Sequence, residues 1–477
     1  MVFSWRSPRL HLMDLPNFLE ELSRSAALQV VKAPVNTHLE IAALSALAVR
    51  DQGPALLFRN TRTTRHPILT NALASEHRLA LALNHASLLD FGHTANRLLQ
   101  GWSRFPTDHP ETSERDSCLP VDDTPACCAH VLTRAQATFQ HLPEITLWPG
   151  DAGPCLTAAV VVTKHPLTGR HNAGIYRLQI LGPTTATLGW HPGSDAAKHF
   201  QAAEELNQPL EVALAIGVPP AMLLTAGLSL PEEVDELEFA ARVTGATLPL
   251  AHCHTLDLMV PATSQMVLEG HALPGKRCLE GPFGNHTGLL STPRPCPVFR
   301  LQTITQVAEP VLPCIVAGPP PSESTWMAKA HEAILRVRIR AAYPGIQDIA
   351  LPLEGIYQNF LFVALAADQQ DALDLLRSLS GEREFHRFRF LVAVDDAVNC
   401  ADVSQVLWRL GNCLDPDRDM VRIQGNLAPW HPSPTPGKGG KLLLDARAKP
   451  PTKPMPNHPD PQFTETVSRL WQTLHKR

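Results

Sequence analysis

No apolar run in this chain approaches the roughly 20 residues needed to span a bilayer. The longest, such as 79–83 and 158–162, break off after a single strand's length. A membrane-spanning protein is therefore not expected. The first eighteen residues hold two arginines but no apolar core, which argues against an export signal and for a cytoplasmic protein. Neither sign of charge predominates: 46 acids stand against 41 lysines and arginines, for a net charge of −5. With both signs interspersed, nothing marks a nucleic-acid partner or an anionic membrane surface. The ten cysteines form no C-x-x-C pair. Cys127–Cys128 and His252-Cys253-His254 are the only groupings, and neither has the second ligand pair of a zinc site. Buried free thiols are the expectation.

What the chain does have is length and a change of texture. Its 477 residues exceed one ordinary core. Helical patterns at 14–22, 39–50 and 75–83 alternate with strand-like runs at 28–31 and 54–58, which argues an α/β unit. Residues 106–125 hold four prolines, many acids and no periodicity, as a connector would. From about 129 to 305 short β-branched runs follow one another, among them 158–163 and 174–181, 210–216 and 266–268. This spacing suits a partly open barrel or sandwich. Alternation returns over 326–430, with helices at 326–343, 369–379 and 403–410. Strands are expected at 360–365 and 388–394, and a last helix at 464–475. The acids Asp395 and Asp396 at a strand end read best as helix caps.

Chemistry concentrates in 157–177 and 267–288. Asn172, Glu269 and Glu280 are the oxygen ligands a hard cation prefers, although water or phosphate would have to complete such a set. The alternative is a turn residue and two surface acids. Arg177, near the start of the apolar run Ile175-Tyr-Arg-Leu-Gln-Ile-Leu, needs an anion if it is buried, and no special partner if it sits on an exposed face. Glu280-Gly-Pro-Phe-Gly-Asn-His286 sets an acid beside a rigid turn, as a general acid or base requires. The same pattern also fits a solvated surface turn.

From about residue 15 to 445 the chain resembles the UbiD family of prenylated-flavin-dependent carboxy-lyases. The resemblance is carried by Trp148-Pro-Gly-Asp-Ala-Gly-Pro, Arg170-His-Asn-Ala-Gly-Ile-Tyr-Arg177, Val267-Leu-Glu-Gly and Glu280-Gly-Pro-Phe-Gly-x-His-Thr-Gly288. It continues through Val392-Ala-Val-Asp-Asp396, Leu414-Asp-Pro-x-Arg-Asp419 and Gly440-Lys-Leu-Leu-Leu-Asp445. It implies an α/β and β multidomain fold: an N-terminal α/β domain (1–115), a central split β-barrel like flavin reductases (116–325), a C-terminal α/β oligomerisation domain (326–450) and a tail helix (451–477). It also implies prenylated FMN bound through Mn²⁺ and K⁺. Asn172, Glu269 and His191 would be metal ligands, with Ile175, Tyr176, Arg177, His191 and Lys198 around the cofactor. Arg177, Glu280, Asn285 and Glu323 would form the catalytic set.

Three departures stand out. Asn285 replaces an acid and cannot donate a carboxylic proton. Gly193-Ser194 stands where the family has a histidine and a base, so His191 and Lys198 are the nearest substitutes. Pro319 replaces a base in a motif that keeps Glu323. The expected reaction is decarboxylation of an aromatic hydroxy acid in ubiquinone or menaquinone biosynthesis, on a polyprenyl 4-hydroxybenzoate or a dihydroxynaphthoate. A flavin prenyltransferase would supply the cofactor. The expected assembly is a homo-oligomer from dimer to hexamer, and a lipophilic substrate would bring the protein to a membrane surface. The competing expectations are a non-catalytic relative that keeps the fold, and a plain FMN oxidoreductase.

Overall fold

The computed structural model describes residues 11–102, 117–121, 125–427, 431, 435, 437–449 and 461–474. The N-terminal eighteen-residue stretch and the connector at 106–125 thus fall largely outside the described residues. The chain divides into two compact units, 1–344 with 350–359, and 345–349 with 360–477. The two domains expected at 1–115 and 116–325 both fall within the first unit. No helix among the described residues is long and apolar enough to cross a membrane.

In the first unit, Leu15–Arg24 is a helix because Asp14 accepts the Asn17 amide at 2.9 Å and proline opens its first turn. Its buried face, Leu15, Phe18 and Leu22, packs toward the four-stranded sheet of Leu28–Val31, Ala55–Phe58, Ile68–Thr70 and Leu312–Pro313. The larger element is a nine-stranded antiparallel sheet. Its centre is a pair of long strands, Met266–Glu280 and Arg294–Gln306, of which only the first three residues were expected from the sequence. Ala159–Lys164 and Leu210–Ile216 are apolar at nearly every position because both faces of the sheet are covered. Val161, Val212, Leu214 and Leu268 pack on one face against Phe200 of helix Asp195–Glu205. Val160, Val162, Ala213 and Val267 pack on the other against Leu237 and Phe239 of helix Glu236–Thr244.

The run expected as one strand at 174–181 is broken. His171–Ile175 pairs with Ala159–Lys164 at one end of the sheet, whereas Leu178–Ile180 pairs with Cys155–Leu156 and Thr185–Leu188 at the other. Only Tyr176 and Arg177 join them, so about 10 Å of chain bridges the two ends. The sheet must therefore curl into a half-barrel, and Arg177 lies at its seam.

The second unit carries a five-stranded sheet with Phe360–Leu365, Phe390–Asp395 and Lys438–Asp445 in parallel register at its centre and Met420–Asn426 at one edge. Asp395 caps no helix: it accepts Arg409 Nη2 at 2.7 Å and the Ala448 amide at 3.1 Å. The cap of helix Val403–Cys413 is Asp402.

Candidate active site at the seam of the half-barrel

Glu280 is the last residue of its long strand rather than part of the turn, and it is 1% exposed. Arg177 reaches it from the seam with two parallel bonds, Nε to Oε1 and Nη2 to Oε2, both 2.9 Å. This fork geometry is the strong form of the pair, and it fixes both side chains. The Arg177 guanidinium also lies over the Phe283 ring at 4.6 Å. Two further groups converge on Glu280 Oε2. Cys296 Sγ stands at 3.6 Å, its thiol pushed up to about 12 by burial and then by the Glu280 charge, so it stays protonated and donates. Arg294 Nε stands at 3.9 Å, while its Nη1 donates to the Trp190 carbonyl at 2.8 Å. Gly189 leaves room for this packing, since a Cβ there would sit 2.6 Å from Glu280 Oε1.

The turn after Glu280 is clamped from outside. Gly281, at φ 88°, gives its amide to Gln179, and Gly284 gives its amide to Asp151 Oδ1 at 2.8 Å. The Trp148 indole fills the space beside Gly284 so tightly that a Cβ would lie 2.1 Å from Cδ1. Trp148 itself cannot retreat, because Nε1 donates to the Ala317 carbonyl at 2.8 Å and Gly318 flanks its other edge. Gly284→Ala is expected to cost about 1–3 kcal/mol through overpacking and to lower turnover by displacing the strand end that holds Glu280. Thermal melts and steady-state kinetics on the same preparation check this.

The remaining predicted residues divide among several places. His191 lies among Arg294, Arg177, His286 and Glu280. Desolvation, then the Arg294 and Arg177 charges, push its imidazole down to about 4, although the residue as a whole remains exposed. Asn285 spends its Oδ1 on the Thr287 amide (2.8 Å) and hydroxyl (2.6 Å) and so shapes the turn. His286 bonds Gln358 at 3.2 Å and stacks on Tyr357.

Asn172 and Glu269 are not brought together. Asn172 aligns with Thr163 and, through it, Val212, whereas Glu269 aligns with Ala213 and Val162. Cross-strand partners share a face, so the two side chains point to opposite faces, three strands or about 14 Å apart. Glu269 is buried and fully engaged, accepting the His254 and Thr255 amides at 2.7 Å and the Thr255 hydroxyl at 2.6 Å. Its work is to hold the loop that follows Cys253.

The acid bonded to the backbone next to Asn172 is Glu236, which no pattern in the sequence singles out. It caps the edge of the sheet by accepting the Ala173 amide at 3.0 Å. Burial pushes its carboxyl up to about 7, with the nearby Asp235 and Asp195 charges adding to the rise and the Ala173 and Glu236 amides opposing it. Asn172 is 4% exposed and its Nδ2 has no bonding partner. Tyr176 closes the same corner, its ring lying where a Cβ on Gly174 would go. Burial raises its hydroxyl to about 12 against the opposing pull of Ser194 and the Ala196 amide. Lys198 is committed to Asp195 (2.8 Å) and Glu232 (2.7 Å), and Glu232 also pairs with Arg170. Among the described residues no three His, Cys, Asp or Glu side chains converge as a metal site. Nothing in the sequence separates Glu236 from Glu232, Glu233, Asp235 and Glu238 around it.

Glu323 lies on neither cluster. At the start of helix Glu323–Ala342 it accepts the Asn71 and Leu73 amides at 3.1 and 2.9 Å, and burial pushes it up to about 7 against those bonds and the Arg78 charge. The folded state therefore keeps a proton that the unfolded chain loses near 4.5, and stability falls as pH rises between about 4.5 and 7. Glu323→Gln is expected to flatten that slope, which amounts to no more than about 3 kcal/mol. Denaturant unfolding at pH 5 and pH 7.5 measures it. All ten cysteines are free, in line with the absence of paired spacing.

Sequence profiles described as the N-terminal, Rift-related and C-terminal domains of 3-octaprenyl-4-hydroxybenzoate carboxy-lyase match residues 19–98, 120–320 and 325–446. An uncharacterised protein of Archaeoglobus fulgidus is 34% identical over 454 residues, covering 91% of this chain and 92% of its own length. One from Synechocystis is 31% identical over 483 residues, covering 96% and 95%. The solved structure of the UbiD-class enzyme HmfF from Pelotomaculum thermopropionicum in complex with FMN is 26% identical and covers 95% of this chain and 98% of that one, with a TM-score of 0.84. An evolved dimeric form of the same enzyme, in complex with prFMN, matches with a TM-score of 0.80 at the same identity and coverage. Three matched domains in order, full-length relatives above 30% identity and a shared fold lead to one conclusion: the chain belongs to the UbiD family of carboxy-lyases.

Proposed function

We propose that this chain decarboxylates an aromatic hydroxy acid non-oxidatively with prenylated FMN bound against the half-barrel, its residues 175–177 facing the cofactor. The observation that carries this reading is the buried, two-pronged Arg177–Glu280 pair at the seam. Bound there, prenylated FMN would supply an electron sink for the charge left as CO₂ departs. The protein's part is positional and protonic. Arg177 spends Nε and Nη2 on Glu280, which leaves Nη1 to orient the substrate carboxylate. Glu280, with Cys296 and Arg294 against Oε2, is placed to relay a proton drawn from solvent to the ring carbon. Asn285 contributes turn geometry and His191 an uncharged donor or acceptor.

The residues also fit a divalent cation of the kind the family resemblance implies. Glu236 is a carboxyl raised by burial and by neighbouring acids and bonded to the backbone next to Asn172, so these two residues would offer a hard ion such as Mn²⁺ a carboxylate and a carboxamide oxygen. K⁺ is implied by the family resemblance alone. The split-barrel likeness to flavin reductases, a homo-oligomeric assembly, a cytoplasmic location and a role in ubiquinone or menaquinone biosynthesis belong to the same proposal. Co-expression with a flavin prenyltransferase tests it. The purified protein should carry the cofactor's absorbance and release CO₂ from a 4-hydroxybenzoate or dihydroxynaphthoate. Bound cofactor with no turnover on any aromatic acid would favour a non-catalytic relative instead.

A further inference from the structure

Two guanidiniums flank the one carboxylate of Glu280, and it matches only one of them. Arg177 takes both oxygens in its fork, at 2.9 Å each. Arg294 is the direct cross-strand partner of Glu280, so the two side chains leave the same face of the half-barrel. Yet Arg294 Nε stops 3.9 Å from Oε2, beyond hydrogen-bond reach. Its Nη1 is spent on the Trp190 carbonyl, a neutral acceptor, at 2.8 Å. Its Nη2 is shut off from water and meets no acceptor among the described residues. A charged donor in that state costs stability until an acceptor arrives.

The neighbours of Arg294 do not supply one. Cys296 stays protonated and donates to Glu280. His191, pushed down to about 4 by desolvation and then by the Arg294 and Arg177 charges, carries no charge of its own. His286 is engaged with Gln358 and Tyr357. The Arg294 side chain as a whole is 31% exposed, so a ligand can reach it. A guanidinium has donors and no acceptor, so the group that completes it must accept hydrogen bonds. The departing carboxylate is a poor choice. A second cation on that group would hold the charged ground state and not the neutral CO₂, and so would oppose its loss.

We propose, resting on the decarboxylase reading of the same site, that Arg294 selects substrates with a second oxygen acceptor on the ring, a phenolic oxygen or a second carboxylate that stays behind when CO₂ leaves. Arg177 Nη1 would orient the departing group and Arg294 Nη2 the retained one.

The test is the rise in melting temperature of the full-length protein, purified after co-expression with the prenyltransferase, over a concentration series of each ligand. The probes are benzoate, 4-aminobenzoate, 3- and 4-hydroxybenzoate, and benzene-1,3- and benzene-1,4-dicarboxylate. At least one hydroxybenzoate or dicarboxylate should bind about tenfold or more tighter than benzoate, and 4-aminobenzoate no tighter. A hydroxybenzoate preference gives Arg294 a phenolic oxygen, and a dicarboxylate preference a second carboxylate. Arg294→Gln should bring that preference to within about threefold while benzoate affinity and cofactor absorbance hold. Equal binding of all six acids by the parent, or binding of none, overturns the proposal without any variant. So does an Arg294→Gln protein that loses benzoate as fully as the others, since Arg294 would then hold the departing carboxylate, or one that loses the cofactor. Binding is read here rather than CO₂. A chain that keeps the preference but releases no CO₂ would sink the decarboxylase reading and leave Arg294 as the selector of a second acceptor.

Discussion

Glu280→Gln should lower kcat by 10²- to 10⁴-fold, the usual contribution of a positioned proton donor, while the cofactor stays bound. The amide is close in size but has no acidic proton. Its NH₂ must also face a guanidinium N–H, so one prong of the fork is lost along with the charge. Because Glu280 is almost fully buried, breaking the pair also strains the fold, by about 3–5 kcal/mol at most. Thermal melts and cofactor absorbance therefore need recording beside the rates. A folded, loaded variant that turns over within threefold of the parent would remove Glu280 from the mechanism. Arg177→Lys makes the reciprocal point: it keeps a positive charge but not the fork, and the loss should show in kcat more than in folding.

The second large effect falls on metal retention. At the proposed metal site, Glu236→Gln should weaken Mn²⁺ binding by about 100-fold or more, since the carboxylate that would hold the ion becomes neutral. Asn172→Leu should do likewise by removing the neighbouring oxygen. Glu269→Gln should not, because Glu269 faces the opposite side of the sheet and is spent on the loop at His254 and Thr255. It should instead lower the melting temperature by weakening three buried bonds. Metal content by elemental analysis, and the rise in melting temperature on adding Mn²⁺, distinguish the three variants without any activity assay. Unchanged metal in Glu236→Gln with loss in Glu269→Gln would reverse the assignment.

The sequence by itself determined a good deal. Periodicity placed the helices at 15–24, 40–50 and 323–342 to within a few residues, because these are amphipathic segments, the first and the last with side-chain caps. The absence of paired cysteine spacing agreed with ten free thiols. Motif order over most of the chain pointed to the family before any geometry was known. Glu280 and Arg177 stood out because rigid Gly/Pro turns and a guanidinium in an apolar run are local, readable anomalies.

What only the tertiary structure decided depends on register and curvature, which no local pattern encodes. The break at Tyr176–Arg177 is invisible in an apolar run, yet it joins the two ends of the sheet and sets Arg177 at the seam. Arg294 and Cys296 reach Glu280 because one long strand returns beside another across thirteen intervening residues. Glu269 is kept from Asn172 by facing the other side of the sheet, whereas Glu236, on the helix that packs against that other side, reaches the backbone next to Asn172 around the sheet's edge. A one-residue change of phase turns a side chain to the other face. That parity is fixed by the packing of both faces against the two hydrophobic cores, and it exists only once the sheet has closed.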